Sequence, residues 1–195
     1  METASVVIAT FGDRAIWNPL ADRALKSVMR QTRMPDEIFR IHGKDLCEAR
    51  NLGGRMASST WLCFLDADDE LHWDYLESML CGSGDLRYPM IYIQGRGIVD
   101  PYAGRPLLEG NYLAIGTLIS KDMFMDVGGF PKYEAYEDWA MWLRCEALGA
   151  RAHVVPGAIY FAHQNQTGRN RSHLYSKEAM KVRVDFLKWK VAKCP

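Results

Sequence analysis

Trp61-Leu62-Cys63-Phe64-Leu65-Asp66-Ala67-Asp68-Asp69 is the stretch on which the fold turns. Its first five residues are uncharged and mostly large and apolar. They read as a strand buried between helix layers, as in a covered parallel sheet. The chain then passes without a spacer into Asp66, Asp68, Asp69 and Glu70. Desolvating so many carboxylates is costly, so the tip of this strand must meet solvent, a cation or both. In open α/β sheets ligands collect beyond the carboxyl ends of strands, and hard oxygen donors suit magnesium or manganese rather than zinc. A solvated loop capping the next helix would use the same residues, but the apolar strand leading into them favours the cation.

Upstream, residues 5–10 are apolar and β-branched, another buried strand, and Phe11-Gly12-Asp13 turns the chain. Asn18 followed by Pro19 predicts a helix start, and Leu20, Ala24, Leu25 and Val28 carry the helix to about Gln31. Pro35 breaks the chain, 37–41 alternates like a strand, and Leu46, Ala49, Leu52 and Met56 recur at helical spacing. Two strand–helix units therefore precede the acidic strand. Downstream, the pattern predicts a helix over 73–80, a strand over 90–93 and an irregular surface segment over 95–110. A helix capped by Ser120 follows, then a turn at Gly128-Gly129-Phe130-Pro131 and a helix over 135–148 closed by Gly149. Strands are expected over 153–155 and 159–162, a polar basic segment over 164–172, and a last helix over 176–191 with Met180, Val184 and Leu187 on one side. This alternation predicts an α/β fold with a mostly parallel central sheet flanked by helices.

A chain of 195 residues with 48% hydrophobic content fits one domain over 1–172 and a helical tail over 173–195. Lysine plus arginine and aspartate plus glutamate both number 24, so no global field draws the chain to nucleic acid or an anionic membrane. Any charge-based recognition must be local. Cys47, Cys63, Cys81, Cys145 and Cys194 lack the paired spacings of a zinc site or a disulfide framework. They read as reduced thiols of a cytoplasmic protein. No basic leader and no apolar window long enough for a membrane span is visible, so no integral membrane segment is expected.

The order and spacing of five segments resemble the family 2 glycosyltransferases of the GT-A fold. They are residues 7–13, Ala49-Arg50-Asn51-Leu52-Gly53, Phe64 to Asp69, Val127-Gly128-Gly129-Phe130 and Glu137-Asp138-Trp139. The resemblance implies transfer of a sugar from a nucleotide-diphosphate donor, with a UDP-sugar favoured, to a glycan, protein or small-molecule acceptor. It gives Thr10 and Asp13 contacts to the nucleotide, and it turns Arg50 and Asn51 toward the donor. The family's second strand usually ends in an aspartate pair, where this chain has Ile41-His42-Gly43-Lys44-Asp45, so His42 or Asp45 would have to substitute. Asp68 is placed on a manganese or magnesium ion bridging the two phosphates, with Asp66 beside it or on the ribose. Asp138 becomes the base that deprotonates the acceptor in a single inverting displacement, with Glu137 and Trp139 on the acceptor side.

His163 is a candidate third metal ligand, and Arg169 and Arg171 could close over the diphosphate. Trp17, Trp61, Trp73 and Trp189 carry no motif and are expected to pack. A phosphatase of the haloacid dehalogenase type also follows an apolar strand with Asp-x-Asp, but there the motif ends the first strand. A binding module that keeps the fold without turnover is the non-enzymatic alternative.

Overall fold

The computed structural model describes residues 2–102, 104–163 and 175–193. β1 (Ala4–Phe11) is buried along almost its whole length, as its uninterrupted apolar run requires. It is followed by α1 (Arg14–Val28), β2 (Glu37–Gly43), α2 (Leu46–Met56), β3 (Trp61–Asp66) and β4 (Glu70–Leu71). Next come α3 (Tyr75–Cys81), β5 (Leu86–Ile93), β6 (Gly97–Val99), β7 (Leu118–Ser120) and α4 (Lys121–Asp126). α5 (Glu137–Ala147), β8 (Ala152–Ala162) and α6 (Tyr175–Lys193) complete the described chain.

The sheet runs β2-β1-β3-β7-β5-β8-β4, with β6 hydrogen-bonded to β5. β1 lies between β2 and β3, parallel to both, and β5 is parallel to β8. The antiparallel ladders that involve β4, β6 and β7 are short. Most paired residues thus belong to parallel ladders, in a mixed α/β arrangement. Trp139, Trp142, Tyr75, Tyr160, Phe64 and Phe124 are the largest side chains of the core. No described helix is long and apolar enough to cross a membrane.

Several elements differ from the expectation. α1 begins at Arg14 because the Asp13 carboxylate accepts from Ala15 N at 2.8 Å and caps it, while Pro19 lies inside the helix. α2 turns Ala49, Gly53 and Gly54 inward and leaves Leu52 and Met56 exposed. A Cβ on Gly53 would stand 2.4 Å from Val7 Cγ1, so close approach of helix to sheet selects the small residues rather than the large apolar ones. The two strands expected after α5 are one, β8, irregular where its register against β5 shifts between Pro89 and Met90. In α6 it is Val182 and Phe186 that enter the core, whereas Met180, Val184 and Leu187 face outward. Trp73 is likewise exposed rather than packed.

Candidate active site

The carboxyl ends of β1 and β3 open into a cavity of about 350 Å³. β1 supplies Thr10 and Phe11, β3 and its tip supply Asp66, Ala67 and Asp68, and α2 supplies Arg50. The opposite wall is Tyr136, Glu137 and Asp138 at the start of α5, with Asn111 and Ile115 from the segment before β7.

Arg50 joins the two walls. It is buried, its Nη1 donates to Glu137 Oε1 at 2.7 Å, and its Nη2 donates to Asp66 Oδ1. Burial opposes its charge, but Asp66 and Glu137 outweigh that cost and hold the guanidinium protonated well above its ordinary range. The Arg50 guanidinium also lies over the Phe130 ring, 5.1 Å from its centroid.

Asp138 accepts a hydrogen bond at Oδ2 from Asn111 Nδ2 at 3.0 Å. The Asn111 amide is oriented by its own Oδ1, which accepts from Leu113 N at 3.1 Å. Burial, then the charge of Glu137, raises the Asp138 carboxyl to about 6, while Arg50 pulls it down. Such a group is ionised at neutral pH yet holds a proton better than an ordinary aspartate, which suits a general base. Just before it, Tyr136 adopts a left-handed backbone at φ 67°. For a non-glycine residue this costs on the order of 1 kcal/mol, a kind of strain that concentrates at functional sites.

The carboxylates of Asp66, Asp68 and Asp69 lie within 4.8 Å of one another. Asp69 faces away from the cavity and is anchored by Tyr160 Oη at 2.8 Å and His163 N at 2.8 Å. Its carboxyl is pushed up to about 8, by burial first and then by the charges of Asp66 and Asp68. A cluster of hard oxygen donors of this kind, two of them facing the cavity, fits a divalent cation.

Thr10, Arg50, Asp66, Asp68, Glu137 and Asp138 therefore meet in one place. The remaining candidates sit elsewhere. Asp13 caps α1. Asp45 caps α2 by accepting from Glu48 N at 2.8 Å and pairs with Lys132 at 3.0 Å. His42 touches Thr10, with Nδ1 3.1 Å from Thr10 Oγ1. Asn51 clamps the backbone of Phe130, bonding its N–H and its carbonyl at 2.8 Å each. That clamp explains Gly129, at φ +68°, where a Cβ would stand 2.4 Å from Asn51 Oδ1. Trp139 is buried and donates its indole N–H to Leu107 O at 2.7 Å. His163 Nε2 pairs with Glu70 at 3.0 Å and does not join the aspartate cluster. Arg169 and Arg171 lie outside the described residues.

The sequence reading missed Asn111, Tyr136 and Trp17 as wall residues. Asn111 lies in a segment without periodicity, and Trp17 was assigned to packing although it lines the cavity and stacks on Phe11 at 6.3 Å.

Residues 38–81, from β2 through α3, match the family model "Glycosyl transferase family 2". The match includes Arg50 and the aspartate cluster and stops before Asp138. The chain is 28% identical to the amylovoran biosynthesis glycosyltransferase AmsB of Erwinia amylovora, over 75% of this chain and 60% of that protein. It thus spans about three fifths of that relative's length. The crystal structure of S. aureus TarS 1-349 in complex with UDP-GlcNAc superposes with a TM-score of 0.72 at 15% identity, covering 95% of this chain and 66% of that 1-349 chain. The same protein in complex with UDP gives 0.70 at 13% identity, covering 98% and 66%.

Proposed function

We propose that this chain is a family 2 glycosyltransferase that moves a glycosyl group from a nucleotide-diphosphate sugar to an acceptor hydroxyl, with inversion and with a divalent cation. One observation carries the reading: Asp138 and the Asp66–Asp68 tip open onto the same cavity, and Arg50 ties Asp66 to Glu137, the residue next to Asp138. A UDP-sugar is the favoured donor, supported by the UDP-GlcNAc and UDP bound in TarS.

In this reading the donor lies over Thr10, Arg50 and Asp66. A manganese or magnesium ion held by Asp68 and Asp66 supplies Lewis-acid neutralisation of the leaving diphosphate when bound. Asp138 takes the acceptor's proton as its oxygen attacks the anomeric carbon opposite the diphosphate, and Asn111 fixes the plane of that carboxylate. Arg50 keeps Asp66 and Glu137 in place and moderates the proton affinity of Asp138. Trp139 supports the acceptor side from beneath Tyr136, with ring centroids 5.5 Å apart. Residues 1–172 form the catalytic unit, and the free thiols of Cys47, Cys63 and Cys145 suit a cytoplasmic site of action.

The test is UDP release from UDP-GlcNAc and other UDP-sugars with manganese and a pool of acceptors. Wild type releases UDP, while Asp138→Asn binds the nucleotide and releases none above background. Undiminished release by Asp138→Asn contradicts the assignment, and nucleotide binding with no turnover by wild type identifies a binding module instead.

A further inference from the structure

α6 is apolar on two opposite faces. Val182 and Phe186 are buried against the body of the protein, with Ala179 and Trp189 packed beside them. On the far side Met180, Val184, Leu187 and Val191 follow at intervals of four, three and four residues and form one stripe. They are exposed at 59%, 42%, 51% and 79%. At helical spacing Lys177, Lys181 and Lys188 run along one edge of this stripe, and Arg183 and Lys190 along the other. The acidic residues Glu178 and Asp185 turn inward, where Glu178 accepts from Glu134 N and Asp185 accepts from Tyr133 Oη. Lys181 Nζ is drawn to Glu178 Oε1 at 3.4 Å and the Arg183 guanidinium to the body of the protein, so in a chain of zero net charge the outward half of α6 presents the exposed Lys177, Lys188 and Lys190 and no anion among its described side chains.

We propose that this face is a docking surface for an anionic lipid bilayer, on which α6 lies in the plane of the headgroups. An apolar stripe flanked by lysines divides its contacts as such an interface requires. The stripe enters the headgroup–acyl boundary, and the long basic side chains reach back to the lipid phosphates. A second copy of the chain fits less well, because two-fold pairing of this face sets its exposed lysines against each other. A nucleic-acid backbone fits less well too, since apolar side chains occupy the centre, where phosphates need cations. The helix is pinned to the active-site region: Arg183 Nε and Nη2 donate to Leu108 O and Glu109 O at 3.0 and 2.9 Å, in the segment that continues to Asn111. A bilayer bound by α6 therefore stands on the element that leads to the acceptor side of the cavity.

The experiment is co-sedimentation of the full chain with phosphatidylcholine vesicles and with vesicles containing about one third phosphatidylglycerol, at low and high salt. The wild-type chain partitions onto the anionic vesicles and is released by salt. Leu187→Asp and the pair Lys177→Glu/Lys188→Glu, all at exposed positions, each lower the partition coefficient by roughly tenfold or more with melting temperature unchanged. Three results overturn the proposal: no binding to either vesicle, equal binding to both, or anionic binding that neither variant weakens. Light scattering on the same samples covers the alternative. A dimer of wild type that Leu187→Asp dissociates, without vesicle binding, assigns the face to a second copy.

Discussion

Replacing Arg50 by methionine removes the cation that joins the two walls of the cavity while filling most of its volume. Arg50 and Glu137 are each 4% exposed at the side chain, whereas Asp66 is 33% exposed. Breaking a buried pair and leaving its partner charged costs about 3–5 kcal/mol, while the more accessible Asp66 contributes less than about 1 kcal/mol. Arg50→Met should therefore destabilise the fold by about 4 kcal/mol, a large part of the stability of an ordinary domain. With a urea dependence of about 2 kcal/mol per molar, the unfolding midpoint falls by about 2 M. Arg50→Met/Glu137→Gln removes the stranded charge and should recover most of that loss. Urea titrations followed by circular dichroism on wild type, both single variants and the double variant give the coupling energy directly. A cost below about 1 kcal/mol for Arg50→Met, or a double variant no more stable than Arg50→Met, refutes the picture of a buried ion pair.

Because the Asp138 carboxyl sits near 6, transfer should rise as pH increases through about 6 and level off above it. The same shift carries a stability sign. The folded state binds this proton more tightly than the unfolded chain, so Asp138 costs stability as pH climbs from about 4 to 6. Asp138→Asn should then be more stable at neutral pH by on the order of 1 kcal/mol, and a less stable variant counts against the site as described. Asn111→Ala should lower kcat by roughly tenfold, leave the donor KM unchanged and move the acid limb upward, since the carboxylate loses a donor to its charged form. A change in KM alone would assign Asn111 to donor binding. Gly53→Ala forces a methyl against Val7 and should cost about 1–3 kcal/mol, seen as a lower melting temperature; an unchanged melting temperature would show that α2 can lift off the sheet.

The parts of this fold that were legible in the sequence are those where one pattern had one reading. β1 and β3 are continuous apolar runs, Ser120 and Gly149 punctuate helices, and acidic residues after a buried strand mark a site. The short strands β4, β6 and β7 carry too few residues for any period to register. In α6 two apolar stripes compete, and only the packing decides that Val182 and Phe186 go inside. At the site, an aspartate before a helix looks the same in sequence whether it binds a ligand or caps, and the capping bonds of Asp13 and Asp45 come into view only in the structure. Asn111 gives no local signal at all, because its role depends on an amide fixed by Leu113 and on a helix that begins well beyond it in sequence.

The most direct measurement is a thermal-shift panel of uridine, guanosine, thymidine, adenosine and cytidine diphosphates, with and without manganese, on wild type and Asp68→Ala. Uridine diphosphate should raise the melting temperature of wild type when manganese is present, and Asp68→Ala should abolish the rise. Stabilisation that ignores manganese or survives in Asp68→Ala, or none by any nucleotide, would contradict a metal-linked donor site beside Asp138.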